Sequence, residues 1–222
     1  MSDKIVLVCA TGRSGSTTMQ RILNTIPNTN ICGENYGAIN SLMEFYLKLH
    51  ITTNDYTIGK YKPISYADIV KNNIKPSWYN SYNINKMEDC IRETIIQMFK
   101  KDESITVWGF KEIRYEKNKI KLIQYFKNLF PQTKIIIQIR EDVYKQAKSG
   151  WHKNDKNAPK YLRDINKEFI QFYNENKDWC YFTTFERMFD LNNIKNIFKF
   201  IGCECSYDET KIMEILNNNL KD

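Results

Sequence analysis

Two stretches of this 222-residue chain combine residue types that handle anions. The first is Thr11-Gly12-Arg13-Ser14-Gly15-Ser16-Thr17-Thr18. It follows the apolar run Ile5 to Ala10 and leads into Met19, Ile22, Leu23 and Ile26 at helical spacing. Glycines in such a turn let backbone N–H groups converge, the helix N-terminus adds partial positive charge, and the hydroxyls add donors. Arg13 inside the turn can grip a phosphate through two parallel bonds. The loop is not the lysine-containing nucleotide loop G-x-x-x-x-G-K-[ST], because Thr17 stands five positions after Gly12 and no Lys-Ser/Thr pair follows. The second stretch is Ile135-Ile136-Ile137-Gln138-Ile139-Arg140, a buried strand pattern that delivers Arg140 at its carboxyl end, with Ser149 nine residues later. Two separated anion loops suit a ligand with two separated phosphates.

Strand-like runs alternate with helical patterns along the whole chain. Strands are expected at about 5–10, 30–33, 105–110, 134–139 and 179–185. Helices are expected after the first loop to near Pro27, then at 38–49, 86–100, 117–130, 142–151, 160–176, 192–201 and 208–219. This order predicts an α/β fold, a mostly parallel central sheet with helices on both faces, as a single domain over 1–222. Such sheets bind ligands at the carboxyl ends of their strands, where both anion loops stand. Residues 51–83 carry Tyr56, Tyr61, Tyr66, Trp78, Tyr79 and Tyr82 without periodicity. They read either as a lid over an acceptor pocket or as a surface excursion packed by its own tyrosines.

Composition narrows the function classes. A net charge of +7 favours anionic partners but falls short of a dedicated nucleic-acid binder, and no aromatic RNA-binding strand motif is present. No apolar run approaches the roughly 20 residues that span a bilayer, and the N-terminus lacks a leader pattern. The six cysteines are dispersed, and Cys203-x-Cys205 is too closely spaced for a zinc knuckle, so reduced thiols in a cytoplasmic setting and no metal site are expected. Oligomeric state is not legible.

The two loops together resemble the sulfotransferases that use 3′-phosphoadenosine 5′-phosphosulfate (PAPS). Gly12-Arg13-Ser14-Gly15-Ser16-Thr17 is similar to that family's 5′-phosphosulfate loop, and Arg140 through Ser149 to its 3′-phosphate motif. Cys32-Gly33-Glu34-Asn35, Trp108-Gly109-Phe110-Lys111-Glu112-Ile113-Arg114, Thr184-Phe185-Glu186-Arg187-Met188 and Phe200-Ile201-Gly202 agree in order and position. Arg13 stands where the cytosolic phenol and steroid branch has lysine, and that branch's C-terminal Arg-Lys-Gly segment is missing. Both departures place the chain nearer the carbohydrate, tyrosylprotein and bacterial branch.

The resemblance implies a P-loop-NTPase-like sulfotransferase fold and sulfuryl transfer from PAPS, without metal, to a hydroxyl or amine of a glycan, peptide or small molecule. Gly12 to Thr18 would bind the 5′-phosphate, with Arg13 neutralising the departing oxygen, and Arg140 and Ser149 would hold the 3′-phosphate. Lys111, read as lying just after a strand, would touch the sulfuryl group or the bridging oxygen. Glu34, where tyrosylprotein-type enzymes carry a glutamate, would be the base, with His50 and His152 as the other candidates. Glu186 would hold a sheet edge or loop in place. The competing readings are a P-loop-like small-molecule kinase, which would require the missing lysine, and a non-catalytic binder of adenosine bisphosphate or acidic glycans.

Overall fold

The computed structural model describes residues 3–53, 67, 82–115 and 119–219. Five strands form one parallel sheet: β1 (Lys4–Ala10), β2 (Thr29–Cys32), β3 (Val107–Glu112), β4 (Lys134–Ile139) and β5 (Cys180–Thr184). Their spatial order is β2-β3-β1-β4-β5. The helices are α1 (Ser16–Leu23), α2 (Ala38–Thr53), α3 (Ile84–Phe99), α4 (Leu122–Leu129), α5 (Val143–Ala147), α6 (Ala158–Glu175), α7 (Leu191–Phe200) and α8 (Glu209–Asn219). The aromatic stretch 51–83 lies largely outside the described residues, although α2 runs on through its first three positions.

The chain divides into two compact units. The first comprises Met1–Gly37, Phe99–Lys121 and Pro131–Asp222, and the second Ala38–Met98 and Leu122–Phe130. In the first unit, strand alternation sends Val6, Val8 and Ile136 into a core shared with Met19 and Ile22 of α1, Ile194, Ile197 and Phe198 of α7, and Ile212 and Leu216 of α8. The opposite face turns Cys9 toward Tyr115, whose hydroxyl donates to the Cys9 thiol at 3.0 Å and whose ring meets Phe169 of α6. Helices therefore cover both faces. In the second unit, Glu88 of α3 accepts from the Tyr46 hydroxyl and pairs with Arg92 at 2.9 Å, and Arg92 also donates to the Leu129 carbonyl.

Topology explains where a ligand can sit. From β1 the chain crosses to β2 on one side, while from β4 it crosses to β5 on the other. The ends of β1 and β4, which are neighbours, are left flanking a crevice. The two loops that the sequence reads as anion-binding emerge at those two ends.

Two expectations shift. The strand read at 105–110 lies at Val107–Glu112, so Lys111 is inside β3 and not after it. The helix read at 142–151 is broken into α5 and a 3₁₀ turn, Gly150–Asn154, because Ser149 is extended and Gly150 has a φ of 59°.

Candidate active site

The loop after β1 is held from behind by uncharged groups. Ser14 is fully buried and its hydroxyl donates to the Thr11 carbonyl at 2.7 Å. The Gln138 amide, buried within β4, donates to the Ser14 carbonyl at 2.7 Å. The Gln146 amide of α5 donates to Thr11 Oγ1 and to the Gly12 carbonyl, at 2.9 and 2.6 Å. These bonds engage the Thr11, Gly12 and Ser14 carbonyls of the turn from behind. Gly15, with a φ of 80°, caps α1 without a side-chain bond, and no acidic residue occupies the first helical turn. The helix N-terminus thus presents unsatisfied N–H donors and an uncompensated dipole.

Arg13 has a φ of 64°, a region that costs a non-glycine residue about 1 kcal/mol or more. The strained backbone turns its side chain out of the loop, and Gly150 makes room for the stem, since a Cβ there would lie 3.0 Å from Arg13 Cδ. Gly12 serves close approach: a Cβ at that position would fall 2.5 Å from the Trp151 ring.

From the end of β4, Arg140 lays its guanidinium over the Phe185 ring, 4.4 Å from the centroid, and its Nε is buried without a hydrogen-bond partner among the described residues. Glu186 accepts from the N–H groups of Glu141 and Asp142 at 3.1 and 3.4 Å, tying the loop after β4 to the one after β5, as expected of a positioning carboxylate. Ser149 donates to the Gln146 carbonyl at 2.7 Å.

Glu34 sits beyond the end of β2 between two cations. Lys111 Nζ meets Oε1 and Arg114 meets Oε2, each at 2.5 Å. Burial works to raise the pKa of Glu34, but the bonds and charges of Lys111 and Arg114 outweigh it and hold the carboxyl below its ordinary value. Glu112 plays a different part. It is 1% exposed and accepts from the N–H groups of Asn35, Gly37, Ile113 and Arg114. It is a structural carboxylate that fixes the turn 33–37 against the end of β3.

A cavity of about 400 Å³ brings these groups together. Of the residues singled out from sequence, Arg13, Gly15, Ser16, Thr17, Thr18, Glu34, Lys111, Arg140 and Ser149 line it, while Gly12 and Ser14 form the loop behind. Among the described residues the lining carries four cationic side chains, Arg13, Arg21, Lys111 and Arg140, against the single carboxylate Glu34. Sequence reasoning missed Arg21, although it lies four residues after Thr17 on one face of α1 and the spacing could have found it. It also missed the apolar wall of Trp151, Met188 and Phe189. His152 is nearly buried beside Gly12, and its pKa is lowered by burial, with Asp155 opposing and Arg13 adding to the shift. His50 lies in the second unit, paired with Glu88. Neither histidine lines the cavity.

The architecture has solved counterparts. It is similar to the sulfotransferase domain of the Synechococcus PCC 7002 olefin synthase, with a TM-score of 0.54 and 14% identity over 95% of this chain and 76% of that one. The chain has the sulfotransferase fold. A sulfotransferase from Alicyclobacillus acidocaldarius is similar at a TM-score of 0.51 and 12% identity, over 100% of this chain and 92% of the other. No family model matches the sequence, and no curated protein matches it. Within this fold, the cavity lies at the carboxyl ends of β1 and β4, where the topology opens a crevice.

Proposed function

We propose that the protein is a sulfotransferase that moves a sulfuryl group from PAPS to a hydroxyl or amine of an acceptor. The observation that carries this reading is the convergence of both anion loops, Lys111 and Glu34 on one cavity of the sulfotransferase fold. The donor set fits a bisphosphate nucleotide. Uncapped N–H groups of α1 and Arg13 are available at one end, and the unpartnered Nε of Arg140 at the other. When bound, PAPS supplies the sulfuryl group, whose bond to phosphate oxygen breaks as a bond to the acceptor oxygen forms.

The chain's own residues supply position and charge. Arg13 and the N–H groups from Ser14 to Thr18 hold the 5′-phosphate and neutralise the departing oxygen. Arg140 and Ser149 hold the 3′-phosphate, and the Phe185 ring fixes the guanidinium of Arg140 in place. Lys111 is buried and reaches the cavity from inside β3, so its ammonium has little freedom to wander. A competing sulfuryl oxygen draws Lys111 from Glu34 and frees Oε1 to accept the acceptor's proton. Glu34 is ionised at neutral pH, and its two cations, which hold its pKa below the ordinary value, restrain its basicity until Lys111 is drawn away.

Incubation with sulfur-labelled PAPS and a chelator, against glycans, tyrosine peptides and small alcohols, tests the reaction. Label on one acceptor class is the expected result. Tight nucleotide binding with no transfer to any class would leave a binding protein in its place.

A further inference from the structure

Gly33 and Tyr36 stand in the turn 33–37 the opposite way round from what the backbone favours. Gly33 does not have a positive φ, and a Cβ added there would meet nothing within 4 Å among the described residues. Neither conformation nor packing calls for glycine at that position. Tyr36, by contrast, has a φ of 58°, where glycine is at ease and a side chain is strained. Its ring is 84% exposed, so little burial offsets the strain.

The conformation is imposed from beneath. Glu112 Oε2 accepts from the N–H groups of Asn35 and Gly37, at 3.1 and 3.0 Å on either side of Tyr36. The ring is thereby held outward, with the Arg114 guanidinium 4.6 Å from its centroid. Arg114 in turn bonds Glu34, which lines the cavity. Ring, guanidinium and carboxylate form one strip running to the reactive cavity, and the space at Gly33 beside Glu34 is open. Local choices that oppose the fold's own preference, grouped next to a reactive carboxylate, mark a site shaped for a ligand.

We propose that Gly33 and Tyr36 form the acceptor subsite, which takes a hydroxyl carried on a ring. The ring face stacks on Tyr36, and the hydroxyl reaches Glu34 through the space that Gly33 leaves open. This rests on the reading of the cavity as a sulfuryl-transfer site with Glu34 as base. A sugar and a phenol share the required chemistry, a flat or C–H-lined face bearing a hydroxyl. A straight-chain alcohol lacks it.

The test uses the full chain, without PAPS, and three probes observed by saturation-transfer NMR: methyl β-D-glucopyranoside, tyrosinamide and acyclic sorbitol. The expected result is a signal from at least one ring probe and none from sorbitol. That signal falls about fivefold in both Tyr36→Gly and Gly33→Leu and returns in Tyr36→Phe. A response from the glucoside alone assigns a sugar, and from tyrosinamide alone a phenol. Gly33→Leu fills open space and keeps the fold, and Tyr36→Gly raises the melting temperature by releasing strain. Ring probes that bind both variants as well as the unaltered protein, or that bind the latter no better than sorbitol, overturn the proposal. So does a melting temperature lowered by Tyr36→Gly, which would make the ring a stabilising element. Titration of the same variants with adenosine 3′,5′-bisphosphate reads the donor site separately, so loss of the sulfotransferase reading is distinguishable from loss of the subsite.

Discussion

The loop 11–18 and the turn 33–37 both border the cavity, yet they are held by opposite means. Behind the first are neutral amides: Gln138 and Gln146 donate to backbone carbonyls, and Ser14 closes on Thr11. Around the second are charges: Glu112 gathers backbone N–H groups, and Glu34 is shared by Lys111 and Arg114. Neutral supports leave the positive charge of the first loop available for a ligand's phosphate. Charged supports satisfy one another in the second turn, so its carboxylate is restrained until a ligand competes for Lys111. On the proposed function, the first region binds an anion and the second holds a base in reserve.

The largest effect should break that contrast from the charged side. Glu34→Gln leaves adenosine bisphosphate affinity unchanged and lowers the turnover rate by about a thousandfold, the scale of a lost general base. A variant turning over at the original rate would remove Glu34 from the base role while leaving the donor site intact. Next come Arg13→Ala and Arg140→Ala, each weakening adenosine bisphosphate by about a hundredfold in calorimetry, as expected for charge-assisted bonds to phosphate. Unchanged affinity in either variant would show that the corresponding loop does not hold phosphate.

Smaller effects sharpen the comparison. Gln146→Leu strands Thr11 Oγ1 and the Gly12 carbonyl, and urea unfolding should show a loss of about 1–3 kcal/mol. A stability equal to the unaltered protein would mean that the loop holds its shape without the amide. The pH dependence is the mildest. Because the pKa of Glu34 is lowered in the folded state, its contribution to stability is present above its unfolded value near 4.5 and is lost only as pH falls through the lower folded value. Stability measured against pH should therefore show no loss from Glu34 between neutrality and that unfolded value, and Glu34→Gln should flatten the decline below it. An acid limb unchanged by that substitution would contradict the ion-pair assignment.

Much of this was legible in the sequence where one physical signal dominated. The isoleucine run of β4 fell at its expected bounds, 134–139, because a strand buried on both faces has no alternative pattern. The two anion loops could be placed at strand ends because Gly, Arg and Ser/Thr cluster there. What was not legible depends on contacts distant in sequence. Gln138 looks like a polar break in an apolar strand, yet it is buried because a loop 124 residues away offers it a carbonyl. Glu112 could not be told from a surface ion-pair partner until the turn 33–37 was seen to fold over it. The strand was read as ending at Phe110, which put Lys111 past its end; a lysine inside a buried strand is costly, and Glu34 across the turn offsets that cost.

The central claim is that one ligand spans two anion-binding loops, and calorimetric titration with adenosine 3′,5′-bisphosphate and with AMP tests it most directly. The bisphosphate should bind about a hundredfold more tightly, the difference vanishing in Arg140→Ala. Equal affinity for the two nucleotides in the unaltered protein would contradict the account.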